Sequence, residues 1–168
     1  QLSFEVTDSN VTVTVASGLA SFFCVAPALL YNTGVSAMIW TVLRSRISIV
    51  NTGGGSCACG VHVGSGTRQL LLEQLSMAAN ESSLLVDSSA SYRAAVCLGV
   101  VLVSALGDLV AVTTLGFFIT VNSTNVTTMA FTAASLGLSV QMQNDMSVLV
   151  REVGIFAASS TVTTLGSE

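Results

Sequence analysis

The residues with chemical potential are few. Cys57, Cys59 and His62 fall within eight positions of one another, in the glycine-rich stretch Asn51 to Gly66. Thiolate and imidazole ligands suit zinc, with Cys24 or Cys97 available as a fourth, but Cys-x-Cys followed by one histidine is not the spacing of a recognised zinc knuckle, so no metal site is assigned. The four cysteines, Cys24, Cys57, Cys59 and Cys97, are instead expected to form disulfides. A bond within Cys-x-Cys is strained, so Cys57 and Cys59 are expected to pair outward with Cys24 and Cys97, in an order that four cysteines leave open. His62 is the only histidine, and any Ser-His-Asp or Cys-His arrangement would have to use it. The nine acidic residues are scattered, and no two form an evident acid–base couple. The glycine stretch cannot be a P-loop: the chain has no lysine, and Gln69 stands where Gly64-Ser65-Gly66 would need its third glycine for a dinucleotide fingerprint. The reading is therefore a protein that is not an enzyme and holds no cofactor.

Composition narrows the class. Apolar residues make up 51% of the 168 and charged residues only 8%, where about a quarter is usual. A net charge of −4 with five arginines excludes the basic face that nucleic acid requires. Sequons stand at Asn10, Asn80, Asn122 and Asn125, all candidates for glycosylation. With the even cysteine count, and a start at Gln1 that suggests a leader already removed, they point to an extracellular or cell-surface setting.

The chain reads mostly as strands. Leu2, Phe4 and Val6 alternate with polar residues, and Val11, Val13 and Val15 alternate in the opposite parity. Because strand side chains have period 2, one flat strand would turn these sets to opposite faces, so Thr7 to Asn10 is a turn or linker. Either the segment is a local hairpin, or Gln1 to Val6 is a detachable strand. Ser17 to Tyr31 is a broken apolar run of buried strand and turn, and Ala37 to Val50 is a long strand. Asn51 to Gly66 is a loop. Thr67 can cap a helix over Arg68 to Ala79, with Leu71, Leu72, Leu75 and Ala78 or Ala79 as its apolar stripe. Asn80 to Ser91 is a polar loop. Ala94 to Ser104 and Leu109 to Val121 fit a buried hairpin, with one helix through Val96 to Val112, which would have to tolerate Gly99 and Gly107, as the rival. Short strands follow at Met129 to Ala133, Leu138 to Gln143, Ser147 to Val153 and Ser160 to Leu165, with Asn144-Asp145 as a hairpin turn. No internal repeat is evident. The fold expected is mainly β, a β-sandwich with one helical insertion at about 67–91.

An extracellular β-domain that begins with Leu2, Phe4 and Val6 and a Thr7 to Asn10 linker resembles the pilus subunits assembled by donor-strand exchange. The resemblance implies an incomplete immunoglobulin-like sandwich over residues 11–168, completed by residues 1–10 of another copy. It also implies a structural fibril subunit that polymerises with copies of itself. Two other functions fit the same composition. One is a secreted monomeric adhesin or binding module. The other is an integral membrane protein, since Val11 to Val42 and Leu109 to Met142 carry no charge. The frequent Ser, Thr and Asn in both stretches argue against membrane contact.

Overall fold

The computed structural model describes residues 2–16, 20–21, 24–25, 32–52, 56–63, 69–89, 94–103, 111–130, 132–141 and 147–166. They form fifteen strands and no helix. In chain order these are β1 (Leu2–Thr7), β2 (Asn10–Val15), β3 (Ala20–Ser21), β4 (Cys24–Val25), β5 (Asn32–Leu43), β6 (Arg46–Asn51), β7 (Ser56–Val63), β8 (Gln69–Asn80), β9 (Ser83–Ser88), β10 (Ala94–Val103), β11 (Ala111–Asn122), β12 (Asn125–Ala130), β13 (Thr132–Gln141), β14 (Ser147–Ala158) and β15 (Thr161–Gly166).

Every pairing between them is parallel. The first sheet runs β1-β5-β8-β11-β14 and the second β2-β6-β9-β12-β15. The third runs β3-β7-β10-β13, with β4 also on β7. The chain visits the sheets in strict rotation, one strand in each (two short ones, β3 and β4, on its first pass through the third) before returning to the first beside its previous visit. That is a three-sided parallel β-solenoid, a stack of coils around one interior. The immunoglobulin-like sandwich is overturned, since a sandwich is built from antiparallel strands. The hairpins expected at residues 94–121 and around Asn144-Asp145 are absent too. β10 and β11, like β13 and β14, lie in different sheets and follow one another around the coil.

The coils repeat. Equivalent corner residues are 36, 37, 42 and 36 positions apart along the chain, within the range of solenoid repeats. The repeat escaped the sequence because identity is retained at few positions and the connections vary in length. Its clearest trace is a hydroxyl residue two positions before a β-branched or leucine residue: Ser9-Asn10-Val11, Ser45-Arg46-Ile47, Ser82-Ser83-Leu84, Thr124-Asn125-Val126 and Ser160-Thr161-Val162.

The helical insertion is corrected to β8 and β9. Leu72 and Leu75 are both buried, at a spacing of three that reads as helical. Between them Gln74 adopts φ 52°, and the ladder skips it: Glu73 pairs with Leu115 and Leu75 with Phe117. A left-handed residue inside a strand is a bulge that shifts the period by one, so both leucines face inward. Ala37, Gly116 and Glu152 make the same bulge in neighbouring coils. The stretch read as a glycine loop contains β7, and the stretch read as the polar loop after the helix contains β9. The Ser17 to Tyr31 run lies outside the described residues except for β3 and β4.

Inside the solenoid, side chains stack in columns along the axis. One column is Phe4, Trp40, Met77, Ile119 and Ile155. Another is Val11, Ile47, Leu84, Val126 and Val162. Trp40, Ile47, Met77, Leu84, Ile119 and Val126 are buried, and Phe4 stacks on Trp40 with ring centroids 5.4 Å apart. The interior columns explain the composition. A strand with neighbours on both sides and cover on both faces reads as a continuous apolar run, as in β10, where Ala95 to Val100 are all buried.

Candidate functional site: the stacked corner and its two ends

Among the described residues, the corner between the first and second sheets is the most regular feature. In each coil one residue turns the chain with a left-handed backbone: Asp8 (φ 50°), Arg44 (44°), Glu81 (49°), Ser123 (47°) and Ser159 (48°). That turn is why Val6 and Val11, out of phase along the sequence, both face the interior. The residue after it carries a hydroxyl, which in every coil donates back to the carbonyl two positions earlier. Ser9 donates to Thr7 O at 2.8 Å, Ser45 to Leu43 O at 2.8 Å and Ser82 to Asn80 O at 2.7 Å. Thr124 donates to Asn122 O at 2.8 Å and Ser160 to Ala158 O at 2.8 Å.

The same hydroxyls link the coils. Ser9 N–H donates to Ser45 Oγ (3.0 Å) and Ser45 N–H to Ser82 Oγ (3.1 Å). Ser82 N–H donates to Thr124 Oγ1 (3.3 Å) and Thr124 N–H to Ser160 Oγ (3.1 Å). Ser45, Ser82 and Thr124 are buried, so each amide would be left unsatisfied without its hydroxyl partner. Backbone bonds flank the ladder. The turn residue's N–H reaches the next coil's strand end, as in Asp8 N–H to Leu43 O and Arg44 N–H to Asn80 O. The following strand reaches back, as in Arg46 N–H to Ser9 O and Ser83 N–H to Ser45 O.

Substitution of Ser82 tests the ladder. Ser82→Ala removes the acceptor of the buried Ser45 amide and is expected to cost about 1–3 kcal/mol in urea unfolding. Ser82→Thr is expected to stay within about 1 kcal/mol of wild type, because Thr124 already fills the same role one coil along.

Outside the ladder lies a shallow, open groove of about 750 Å³, lined by residues that include Asp8, Arg44, Arg46 and Glu81. Arg44 holds Asp8 with two bonds, Nε to Oδ1 at 2.6 Å and Nη2 to Oδ2 at 2.8 Å. The hydrogen bond from Arg44 lowers the Asp8 carboxyl below its ordinary range. An ionised, exposed and already paired carboxylate is a poor general acid, and the ladder hydroxyls are engaged by backbone. Among the described residues no group of three His, Cys, Asp or Glu is placed to hold a metal ion. The corner is built to join one coil to the next.

The sequence-predicted residues are dispersed. Leu2, Phe4 and Val6 lie on β1, the edge strand of the first sheet, which pairs in parallel with β5 of the same chain. Cys97 is a buried free thiol, donating to Thr127 O at 3.1 Å and accepting from Thr128 Oγ1 at 3.1 Å. The side chains of Cys24, Cys57, Cys59 and His62 lie outside the described residues. Their backbones belong to the third sheet, where Cys24 is opposite Gly60, Cys57 opposite Val96 and Cys59 opposite Leu98. Asn10, Asn122 and Asn125 are exposed and Asn80 is half-buried. Asn122 Nδ2 donates to Asn80 Oδ1 at 3.2 Å, a side-chain step between neighbouring coils. The hydroxyl ladder was missed by sequence reasoning, although the recurring Ser/Thr before each second-sheet strand was its signal.

The two ends of the stack differ from its middle. On β14 and β15 the inward columns end on Val153 (40% exposed), Ile155 (47%) and Val162 (43%), and on β1 Leu2 is 44% exposed. An apolar pocket of about 120 Å³ opens among Leu72, Phe117, Leu136, Val150, Val153 and Ile155. No family of known proteins matches this sequence, and neither a curated protein nor a solved structure is similar to it.

Proposed function

We propose that the protein is a non-catalytic structural subunit of an extracellular fibril, a length of β-solenoid shaft that associates with copies of itself. The observation that carries this reading is the corner ladder. It runs through all five coils without a break and stops only at the two outermost. Parallel coils that hydrogen-bond along the axis add length by repetition, and an unpaired outer strand is a template for further pairing. The N-terminal strand takes part as an edge, not as a piece inserted into a cleft. The four sequons and the low charge support an extracellular, glycan-bearing surface. Light scattering and negative-stain imaging of the protein should show particles that lengthen with concentration at constant width. A single-chain mass at every concentration tested would count against the fibril.

A second reading, a monomeric binding module, draws on the outer face of the first sheet. There Phe118 and Phe156 are 44% and 61% exposed. A Cβ at the intervening Gly154 would stand 2.9–3.0 Å from their rings, so both lie over the glycine. Binding to a glycan array by the monomer, lost in Phe156→Ser, would favour it. As for a membrane, no helix among the described residues is long and apolar enough to cross one.

A further inference from the structure

Resting on the fibril reading, we infer that copies join head to tail in one register, with the N-terminal coil of one copy laid on the C-terminal coil of the next so that the corner ladder continues across the joint. The partner of the open C-terminal face is thus a second copy of this chain.

The argument is the polarity of the ladder. Within the chain, each step uses three bonds across a coil boundary at the corner. The turn residue's N–H goes to a strand-end carbonyl, the hydroxyl residue's N–H goes to a hydroxyl, and a second-sheet N–H comes back to the hydroxyl residue's carbonyl. At β14 and β15 the next coil is missing among the described residues. This leaves the N–H of Ser159, the N–H of Ser160 and the carbonyl of Ser160 without the partners that their equivalents have. At β1 and β2 the previous coil is missing. There the carbonyl of Thr7, the acceptor side of Ser9 Oγ and the N–H of Asn10 lack theirs. The two sets are complementary one for one. Ser159 N–H would meet Thr7 O of the next copy, Ser160 N–H would meet Ser9 Oγ, and Asn10 N–H of the next copy would meet Ser160 O.

The apolar columns agree with this register. Continuing each column places Leu2 of the next copy on Val153, Phe4 on Ile155, Val6 on Ala157 and Val11 on Val162. Each is an apolar pair, and large side chains of the N-terminal coil meet equal or smaller ones of the C-terminal coil. The turn position places Asp8 beside the neutral Ser159, so no like charges meet. A C-terminal face set against another C-terminal face would bring four corner N–H donors to two carbonyl acceptors, so the one-for-one match would be lost. The joint is therefore heterologous, the kind of contact that propagates instead of closing a dimer.

Single-ended variants test it. Ile155→Arg puts a charge on the C-terminal face and Leu2→Arg puts one on the N-terminal face, both at sites already about half exposed. Unchanged circular dichroism and melting would establish that each variant is folded. For wild type, light scattering should give a mass that rises with concentration. Each variant alone should fall to the mass of one chain. An equimolar mixture should form dimers and nothing longer, because each variant retains the end that the other lacks. If wild type assembles and the variants assemble as well, the joint is elsewhere and the fibril reading stands without it. Dimers of Leu2→Arg alone would mean a C-terminal to C-terminal contact and overturn the register. Wild type that remains monomeric would overturn both, and would leave the open face to further coils of a longer chain or to a different partner.

Discussion

Gly99→Ala is expected to destabilise the protein by about 4 kcal/mol or more, most of the stability of a domain at the lower end of the ordinary range of about 5–15 kcal/mol. Gly99 sits in the middle of the third sheet at φ 144°, opposite Gly60 on one side and Gly137 on the other. A Cβ built on Gly99 would run into the carbonyl oxygen of Gly137 and stand 2.7 Å from its carbonyl carbon. One built on Gly60 would meet the carbonyl of Gly99 in the same way. The obstacle is backbone that is itself paired in the sheet, so no side-chain rotation relieves it, and the φ is unfavourable for any L side chain. Gly166→Ala is the control, since nothing lies within 4 Å of its added Cβ; it is expected to change stability by less than about 0.5 kcal/mol. Urea titrations of both variants settle the point. A Gly99→Ala protein within about 1 kcal/mol of wild type would mean that the glycines do not approach as described.

These glycines also show what was legible. Strand character was readable from β-branched residues and alternation, and Ala94 to Ser104, Leu109 to Val121 and Ser160 to Leu165 closely match β10, β11 and β15. The change of parity between Val6 and Val11 was visible, and it marks the solenoid corner. Pairing was not visible. Each strand's partners lie 36 to 42 residues away, and nothing local distinguishes such a partner from a hairpin neighbour. The helix assignment failed for a definite reason. A left-handed bulge at Gln74 converts the strand's period of 2 into a local spacing of three between Leu72 and Leu75, which is the helix signature. Gly60 reads as a loop residue and Gly99 as part of an apolar run, and Gly137 draws no reading at all, because their meaning lies in the register that stacks them. Likewise the Ser/Thr residues of the ladder look like ordinary surface composition along the chain, because only the stacking of the coils brings them together.

Stability is expected to decline steeply on the alkaline side, and Cys97 is the reason. Its thiol is fully buried on β10, among Leu84, Thr127 and Thr128. Burial pushes its pKa up to about 12, partly opposed by hydrogen bonding with Thr128 and with the backbone of Val86 and Thr127. In the unfolded chain the thiol ionises at its ordinary value near 9.0. Between these two values the folded protein retains a proton that the unfolded chain releases. The unfolded state then binds fewer protons, so unfolding free energy falls as pH rises. Below about pH 8 this site contributes no slope, and near pH 12 the slope ends. By pH 11 the loss should reach about 2–3 kcal/mol. The comparison that isolates it is urea unfolding of wild type and Cys97→Ala from pH 7 to 11. Tyrosines, arginines and the other cysteines are common to both, so the difference between the two curves belongs to Cys97. Parallel curves would show that the thiol is not held neutral. Alkylation at pH 7 followed by peptide mapping gives a second reading of the same property: Cys97 should stay unmodified in the folded protein and react once urea opens the coil.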